Sequence, residues 1–314
     1  MKTDGTFMLP SASSTIAGEV DSLFYFIFYT AAILFVLVIG VMVYFVIRYK
    51  KKDNDDNLTS SVDHNNILEI AWTLIPAILV MVVFFWGFKI YMKMNVIPSQ
   101  AMEIKVTAQK WFWSFDYPEG INVTNELTVP VNTPVKLLMS SQDVLHSFFV
   151  PSFRTKMDVL PNRYSMLWFE ATETGEFDLF CTEYCGLSHS EMIGKVIVVT
   201  KEEYDLWVEK ESVIDESIPL DVLGKDLFKK KACYTCHSLD GTRLVGPTLK
   251  EIFGSEVRHT DGTTAIVDEN YIRESLLEPH AKIVEGYSPV MPTFQGQLKD
   301  REIDGLSAFI KSLK

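Results

Sequence analysis

Two apolar runs near the N-terminus constrain this chain more than any other feature. Leu23–Ile47 is uncharged over 25 residues and rich in Phe, Val, Ile and Leu. As helix it would extend roughly 37 Å at about 1.5 Å per residue, enough to cross a hydrocarbon core of about 30 Å with room for tilt. A cleaved signal peptide fits poorly, because the run is too long and no small-residue cleavage site follows. Arg48, Lys50, Lys51 and Lys52 come next, a flank that marks the cytoplasmic side. The second run, Ile70–Phe88, is bracketed by Glu69 and by Lys89 and Lys93. It contains Pro76, which membrane helices tolerate when neighbours re-satisfy the backbone. A short polar connection, Asp53–Asn66, joins the runs. The pattern predicts a helical hairpin turning in the cytoplasm, with the N-terminus and everything after about Met94 on the opposite face. Glu69 sits at the cytoplasmic edge of the second helix. It reads either as an interfacial carboxylate or as a proton entrance for a partner's channel.

The remaining chain is not uniform. Hydrophobic residues make up 47% of the sequence, yet the net charge is −12. The apolar excess lies in the first hundred residues. Between Ala101 and Leu220, 19 acids face 9 bases, a net of −10. Such a surface excludes nucleic acid, whose phosphates need a positive footprint. It suits a basic protein partner or plain solvation.

From Met102 the periodicity changes. "MEIKVTAQKWFWSFDY" alternates and is rich in β-branched and aromatic residues, so it reads as a strand. "NELTVPVNTPVKLLMSS", "DVLHSFFVPSF", "RYSMLWFEATETGEFDLFCTEYCG" and "GKVIVVT" continue the pattern between Pro, Gly and Asn turns. An all-β Greek-key sandwich or barrel is expected, with loops held rigidly at its ends.

Cysteines occur only at 181, 185, 233 and 236, in two tight clusters. In "CTEYCGLSHSEM", Cys181, Cys185, His189 and Met192 are separated by three, three and two residues. Zinc is an alternative, but no second Cys/His pair lies nearby, and a thioether suits copper. The other histidine of this region is His146, in "DVLHSFFVP". An ordinary blue-copper site has one cysteine. Two thiolates can bridge two ions, so the extra cysteine argues for a binuclear centre. A disulfide stays open as an alternative, since this face is oxidising.

The C-terminal region carries its own motif. After a charged stretch to about Leu220, Cys233, Cys236 and His237 form C-x-x-C-H, the signature of haem c attachment. The thiols would join the haem vinyl groups and His237 would ligate iron. "GKDLFKKKACYTCHS" and "EIDGLSAFIKSL" read as helices that open and close this unit. Met291, in "YSPVMPTF", is the sixth-ligand candidate, with His259 and His280 as rivals.

Together these segments resemble cytochrome c oxidase subunit II with a fused cytochrome c domain, the caa3 type. "CTEYCGLSHSEM" with His146 is similar to that family's dinuclear CuA motif. The resemblance implies that Cys181 and Cys185 bridge two coppers and that His146 and His189 bind one each. Met192 and the Glu183 carbonyl would complete the set, and the Glu183 carboxylate would reach a magnesium ion at the subunit I interface. "EIAWTLIPAILV" places Glu69 at the family's proton-pathway entrance. "WFWSF" places Trp111 where electrons reach CuA; without the resemblance, Trp111 reads as sheet packing. "VGPTL" and "YSPVMPTF" resemble the proximal and distal ligand segments of class I cytochromes c.

The implied fold is a multidomain membrane protein with a two-helix transmembrane hairpin, an all-β cupredoxin-like domain and an all-α class I cytochrome c domain. The expected limits are 1–21 for an extracytoplasmic segment, 22–95 for the hairpin, 96–200 for the CuA domain, 201–220 for a linker and 221–314 for the cytochrome c domain. The implied partners are subunit I, with haem a and the haem–copper centre, subunit III, and a cytochrome or upstream respiratory complex as donor. The implied setting is the bacterial inner membrane, with both metal domains on the periplasmic side. No cysteine precedes Cys181, so no N-terminal lipid on cysteine is expected. Quinol oxidase subunits II share the hairpin and β domain but lack these ligands. Nitrous oxide reductases need a second, histidine-rich copper domain, which six histidines cannot furnish.

Overall fold

The computed structural model describes residues 5–50, 63–212 and 217–313. Lys51, Lys52 and most of the Asp53–Asn66 connection lie outside them. The two apolar runs form helices α1 (Ala17–Arg48) and α2 (Asn66–Asn95). Both are apolar on every face, and most of their side chains are exposed in the isolated chain. That composition belongs to helices solvated by lipid, and the chain is a two-pass membrane protein. At the start of α2 the Asn65 side chain accepts the Leu68 N–H at 3.1 Å, and Glu69 accepts the Asn65 N–H at 3.2 Å. This reciprocal cap satisfies two donors that helix geometry leaves open. At the other end of the hairpin, Lys93 pairs with Glu19 at 2.6 Å.

Ten strands follow. They are β1 (Met102–Gln109), β2 (Phe112–Asp116), β3 (Asn122–Thr124), β4 (Glu126–Pro130) and β5 (Pro134–Ser141). Then come β6 (His146–Val150), β7 (Thr155–Val159), β8 (Ser165–Glu170), β9 (Gly175–Cys181) and β10 (Ile193–Val199). They form two sheets, ordered β3-β2-β1-β5-β8 and β4-β10-β9-β6-β7. Alternate residues point inward, and Trp113, Phe115, Phe148, Phe169 and Leu179 fill the space between the sheets. The single strand expected over "MEIKVTAQKWFWSFDY" is a hairpin instead. It turns at Lys110–Trp111, between the paired residues Gln109 and Phe112. The Asp143 carboxylate accepts the Lys110 N–H there at 2.8 Å.

The sandwich is fastened to the outer end of α1. Backbone bonds join Ser13 to Ser152 and Thr172, and Thr15 to Glu170. Arg154 adopts a left-handed conformation (φ 56°) and aims its guanidinium at this strap. It donates to both Asp21 carboxylate oxygens, at 2.7 and 2.9 Å, and to the carbonyls of Pro10 and Ser11. Ile16, Ile90 and Trp168 pack beside it.

Residues expected to link the two soluble units begin with helix α3 (Lys201–Ser212), which packs against the sandwich through Tyr204 and Trp207. The Trp207 ring lies 4.9 Å from that of Tyr117. The last unit comprises α4 (Leu220–Lys230), a small hairpin of β11 (Glu256–Arg258) and β12 (Thr264–Ile266), α5 (Glu269–Leu277) and α6 (Asp300–Ser312). Helices α4 and α6 cross at Gly224 and Gly305, flanked by the Phe228–Phe309 ring pair at 5.5 Å. A Cβ on Gly224 would sit 1.9 Å from the Gly305 carbonyl oxygen, so the crossing admits no side chain. Gly224→Ala should therefore destabilise this unit by ~1–3 kcal/mol, the usual cost of overpacking. Denaturant unfolding followed by helical circular dichroism measures it, and an unchanged helical transition would show that the helices can part.

Candidate metal centre and haem pocket

The sandwich brings its four "CTEYCGLSHSEM" donors to His146 by strand register. β6 pairs with β9 so that Phe148 faces Cys181, and His146 stands two residues before that pair. The loop from Thr182 to Met192 leaves β9 and returns as β10. Bonds from the Thr182 N–H to Ser147 and from the Cys181 N–H to Met192 close it. His146, Met192, Cys185 and Cys181 are all buried.

The donor atoms converge. Cys181 Sγ lies 3.8 Å from His146 Nδ1, 3.8 Å from Cys185 Sγ and 3.3 Å from the Glu183 carbonyl oxygen. Cys185 Sγ lies 3.3 Å from His189 Nδ1 and 3.9 Å from Met192 Sδ. Both thiols are free, and their separation is far above the roughly 2.05 Å of a disulfide. Ligands sharing a tetrahedral ion with bonds of about 2.0–2.3 Å stand about 3.5 Å apart. The observed spacings match, so the residues fit a bound metal. His146, Cys181 and Cys185 alone form a compact buried donor group.

Electrostatics reinforce this reading. His146 Nε2 lies 2.9 Å from Asp143 Oδ1, which fixes the tautomer and leaves Nδ1 facing Cys181. Asp143 was not expected from the sequence, although a carboxylate three residues before the histidine is a readable signal. Burial pushes the Cys185 thiol up to about 12, and charge on Cys181 adds to the effect. Burial opposes ionisation of Cys181 too, but its contacts with His146, Glu183 and Ser147 bring it below the ordinary thiol value.

The second site lies in the helical unit. Cys233, Cys236, His237 and Met291 line one largely apolar cavity. His237 Nδ1 donates to the Pro247 carbonyl at 2.7 Å, leaving Nε2 free as a ligand. Burial lowers the His237 pKa and favours the neutral, ligating ring. Its ring lies over Gly246, where a Cβ would stand 2.7 Å from Cε1. Burial raises Cys233 to about 12 and Cys236 to about 11. Of the three sixth-ligand candidates, only Met291 lines the cavity. His259 is engaged with Thr263 and Tyr271. A largely apolar cavity with two thiols, a neutral imidazole and a thioether fits a c-type haem.

Trp111 joins the two sites. It is buried, and with Lys110 and Phe112 it forms a wall of the haem cavity. Its indole also rests on Gly186 in the cysteine loop. The structure leaves Glu69 apart from both sites, in the first turn of α2, about 39 Å along the helix from its C-terminal end at Asn95.

A lipid-spanning hairpin carrying a buried thiolate–imidazole–thioether cluster and a haem pocket defines a membrane-anchored electron-transfer protein. Comparison with known proteins narrows the class. Residues 2–90 match the family description "Cytochrome C oxidase subunit II, transmembrane domain". Residues 119–201 match "Cytochrome C oxidase subunit II, periplasmic domain", and 222–314 match "Cytochrome c". Cytochrome c oxidase subunit 2 of Alkalihalophilus pseudofirmus is 32% identical over 294 residues, covering 90% of this chain and 84% of that protein. Its namesake from Synechocystis is 29% identical, covering 64% of this chain and 75% of that one. The crystal structure of the periplasmic domain of subunit II of cytochrome oxidase of Bradyrhizobium japonicum is 32% identical, with a TM-score of 0.36. It covers 37% of this chain and 96% of that one. The chain belongs to the cytochrome c oxidase subunit II family, in the form with a fused cytochrome c domain. It is a subunit of a cytochrome c oxidase that works in a membrane complex with subunit I, and its domains imply a copper centre and a haem c site. Its β-sandwich is cupredoxin-like.

Gly186 has φ +120° and a Cβ there would lie 3.3 Å from the Trp111 indole. Gly186→Ala should strain the loop by ~1–3 kcal/mol and displace the indole. A lower melting temperature with altered near-ultraviolet dichroism is expected; if neither changes, the loop absorbs the methyl group.

Proposed function

We propose that this chain is the electron-accepting subunit of a caa3-type oxidase in the bacterial inner membrane, with residues beyond α2 on the periplasmic side. It takes electrons from a cytochrome or an upstream respiratory complex and delivers them to haem a of subunit I. There oxygen is reduced to water with proton pumping, and subunit III completes the core. The observation that carries this reading is the shared wall. Trp111 touches the cysteine loop through Gly186 and bounds the cavity of Cys233, Cys236, His237 and Met291.

When bound, a covalent haem c and a dinuclear CuA pair supply one-electron redox couples. On this reading Cys233, Cys236, His237 and Met291 would hold the haem. Cys181, Cys185, His146, His189, Met192 and the Glu183 carbonyl would hold the copper centre. The Glu183 carboxylate would contribute to a magnesium site shared with subunit I. Trp111 provides the short path into the cysteine loop. Asp143 holds His146 in its ligating tautomer. Burial of His146, Cys181, Cys185 and Met192 keeps water away from that donor set. The domain limits of the sequence reading, with a join over 201–220, belong to the same proposal.

Glu69 is proposed as the entrance of a proton pathway. It also caps α2, so the test must spare the cap. Glu69→Gln keeps an Oε1 acceptor for the Asn65 N–H and removes the ionisable proton. Oxidase turnover should fall severalfold at unchanged metal content, whereas normal turnover would leave Glu69 as a cap alone.

The two metal sites are tested by their thioethers. Met192→Leu should alter the copper absorption and leave the haem band intact, and Met291→Leu should do the reverse. Crossed effects, or fewer than two coppers per chain in the purified wild type, would overturn the assignment.

A further inference from the structure

The sequence carries a basic run, Lys229–Lys231, beside the haem motif, and the function proposed above gives it no role. Lys229 and Lys230 are exposed, and Lys231 is buried. Lys230 turns toward α3, 3.3 Å from Glu211 and 3.2 Å from Asp226 of its own helix. Lys231 is 5% exposed, a burial that lysine tolerates only with partners. Its partners belong to the other soluble unit. Nζ donates to Asn122 Oδ1 at 2.6 Å and to the Asn122 carbonyl at 3.3 Å. Asn122 is held in turn, because its amide donates to Asp116 Oδ1 at 2.7 Å and to Ser114 Oγ at 2.8 Å. Burial lowers the Lys231 pKa, and the nearby Glu302 and Asp116 carboxylates oppose that fall.

The position of this tether matters more than its strength. Lys231 is two residues from Cys233. Asn122 pairs with Asp116 at one end of β2, and the other end of β2 begins at Phe112, beside Trp111 in the cavity wall. One short strand therefore connects the lysine's anchor to the wall, and one residue separates the lysine from the haem-binding cysteine. Neither connection has slack. We propose that Lys231 is a positioning residue that seats the haem-binding unit on β2–β3, so that Trp111 closes the haem pocket. It follows that Lys231 is not part of a docking patch for an external donor. The proposal rests on the reading that electrons cross from the haem unit to the cysteine loop at this wall.

The test uses the full-length, cofactor-loaded protein and three variants: Lys231→Met, Asn122→Ala and the double mutant. Amide hydrogen exchange over 120–124 and 229–237 reports seating without any electron transfer. It should quicken by about tenfold, the effect expected from losing a charged hydrogen bond. Photoreduction of the haem, followed by the copper absorption, should show copper reduction slowed by a similar factor. Haem and copper spectra should stay unchanged, and the double mutant should be no worse than either single one. Unchanged exchange would overturn the tether. Faster exchange with unaltered copper reduction would overturn the positioning role, as would altered metal spectra or additive losses. If the wild type shows no transfer from haem to copper, the reading of the wall fails, and the exchange result still decides whether the tether exists.

Discussion

The metal centre depends on the register between β6 and β9. Phe148 opposite Cys181 sets His146 beside the first thiol, and the bond from the Thr182 N–H to Ser147 holds the start of the loop against β6. A slip of one residue would turn every side chain of β6 to the opposite face and carry His146 out of the core. The register is fixed by what it buries. Phe148 packs edge-on against Trp113 at 5.4 Å, and both are fully enclosed. The hydrophobic core thus aligns the histidine, and the loop needs only to bring the second thiol, His189 and Met192 within reach. A site on a packed scaffold of this kind holds its geometry more closely than one on free loops.

A second constraint ties this scaffold to the membrane. The contact between Arg154 and Asp21 is bidentate and largely shielded from water, a geometry in which an ion pair contributes more than on an open surface. Arg154 also binds strap carbonyls, so a single side chain joins the start of α1 to the turn after β6. Because β6 carries His146, the position of the metal centre relative to α1 is set by the same turn.

The sequence made some of this legible and concealed the rest. The hairpin helices were readable because lipid demands long, uniformly apolar segments. The donor residues were readable because cysteine, histidine and methionine are rare and their spacing is chemical. The β2 hairpin was not readable, since Lys110–Trp111 contains no Gly, Pro or Asn to mark a turn. Asp143 and Lys231 were missed for a different reason. Aspartate and lysine are common surface residues, and their roles arise from partners 3 and 109 positions away. The crossing of α4 over α6 was hidden likewise, because a glycine within a helix signals weakness until its neighbour in space is known. The expected linker segment offers the same lesson: a highly charged stretch still packs a helix on the sandwich when Tyr204 and Trp207 share one side of it.

The arrangement of the two thiols carries a last consequence. Two thiolates 3.8 Å apart in a buried site would repel by about 4 kcal/mol at an effective dielectric constant near 20. The chain avoids this by dividing the pair. Cys181 is drawn toward ionisation by His146 and neighbouring polar groups, while Cys185 is held neutral, its pKa raised to about 12. A neutral thiol is a poor metal ligand, so binding must expel its proton, and the attraction of the cation has to exceed the cost of burying the second charge. His146 is already engaged with Cys181 and Asp143. A bound cation would let both sulfurs act as thiolates at once. The fold prepares the positions of the donors, and the metal supplies the charge that the fold leaves out.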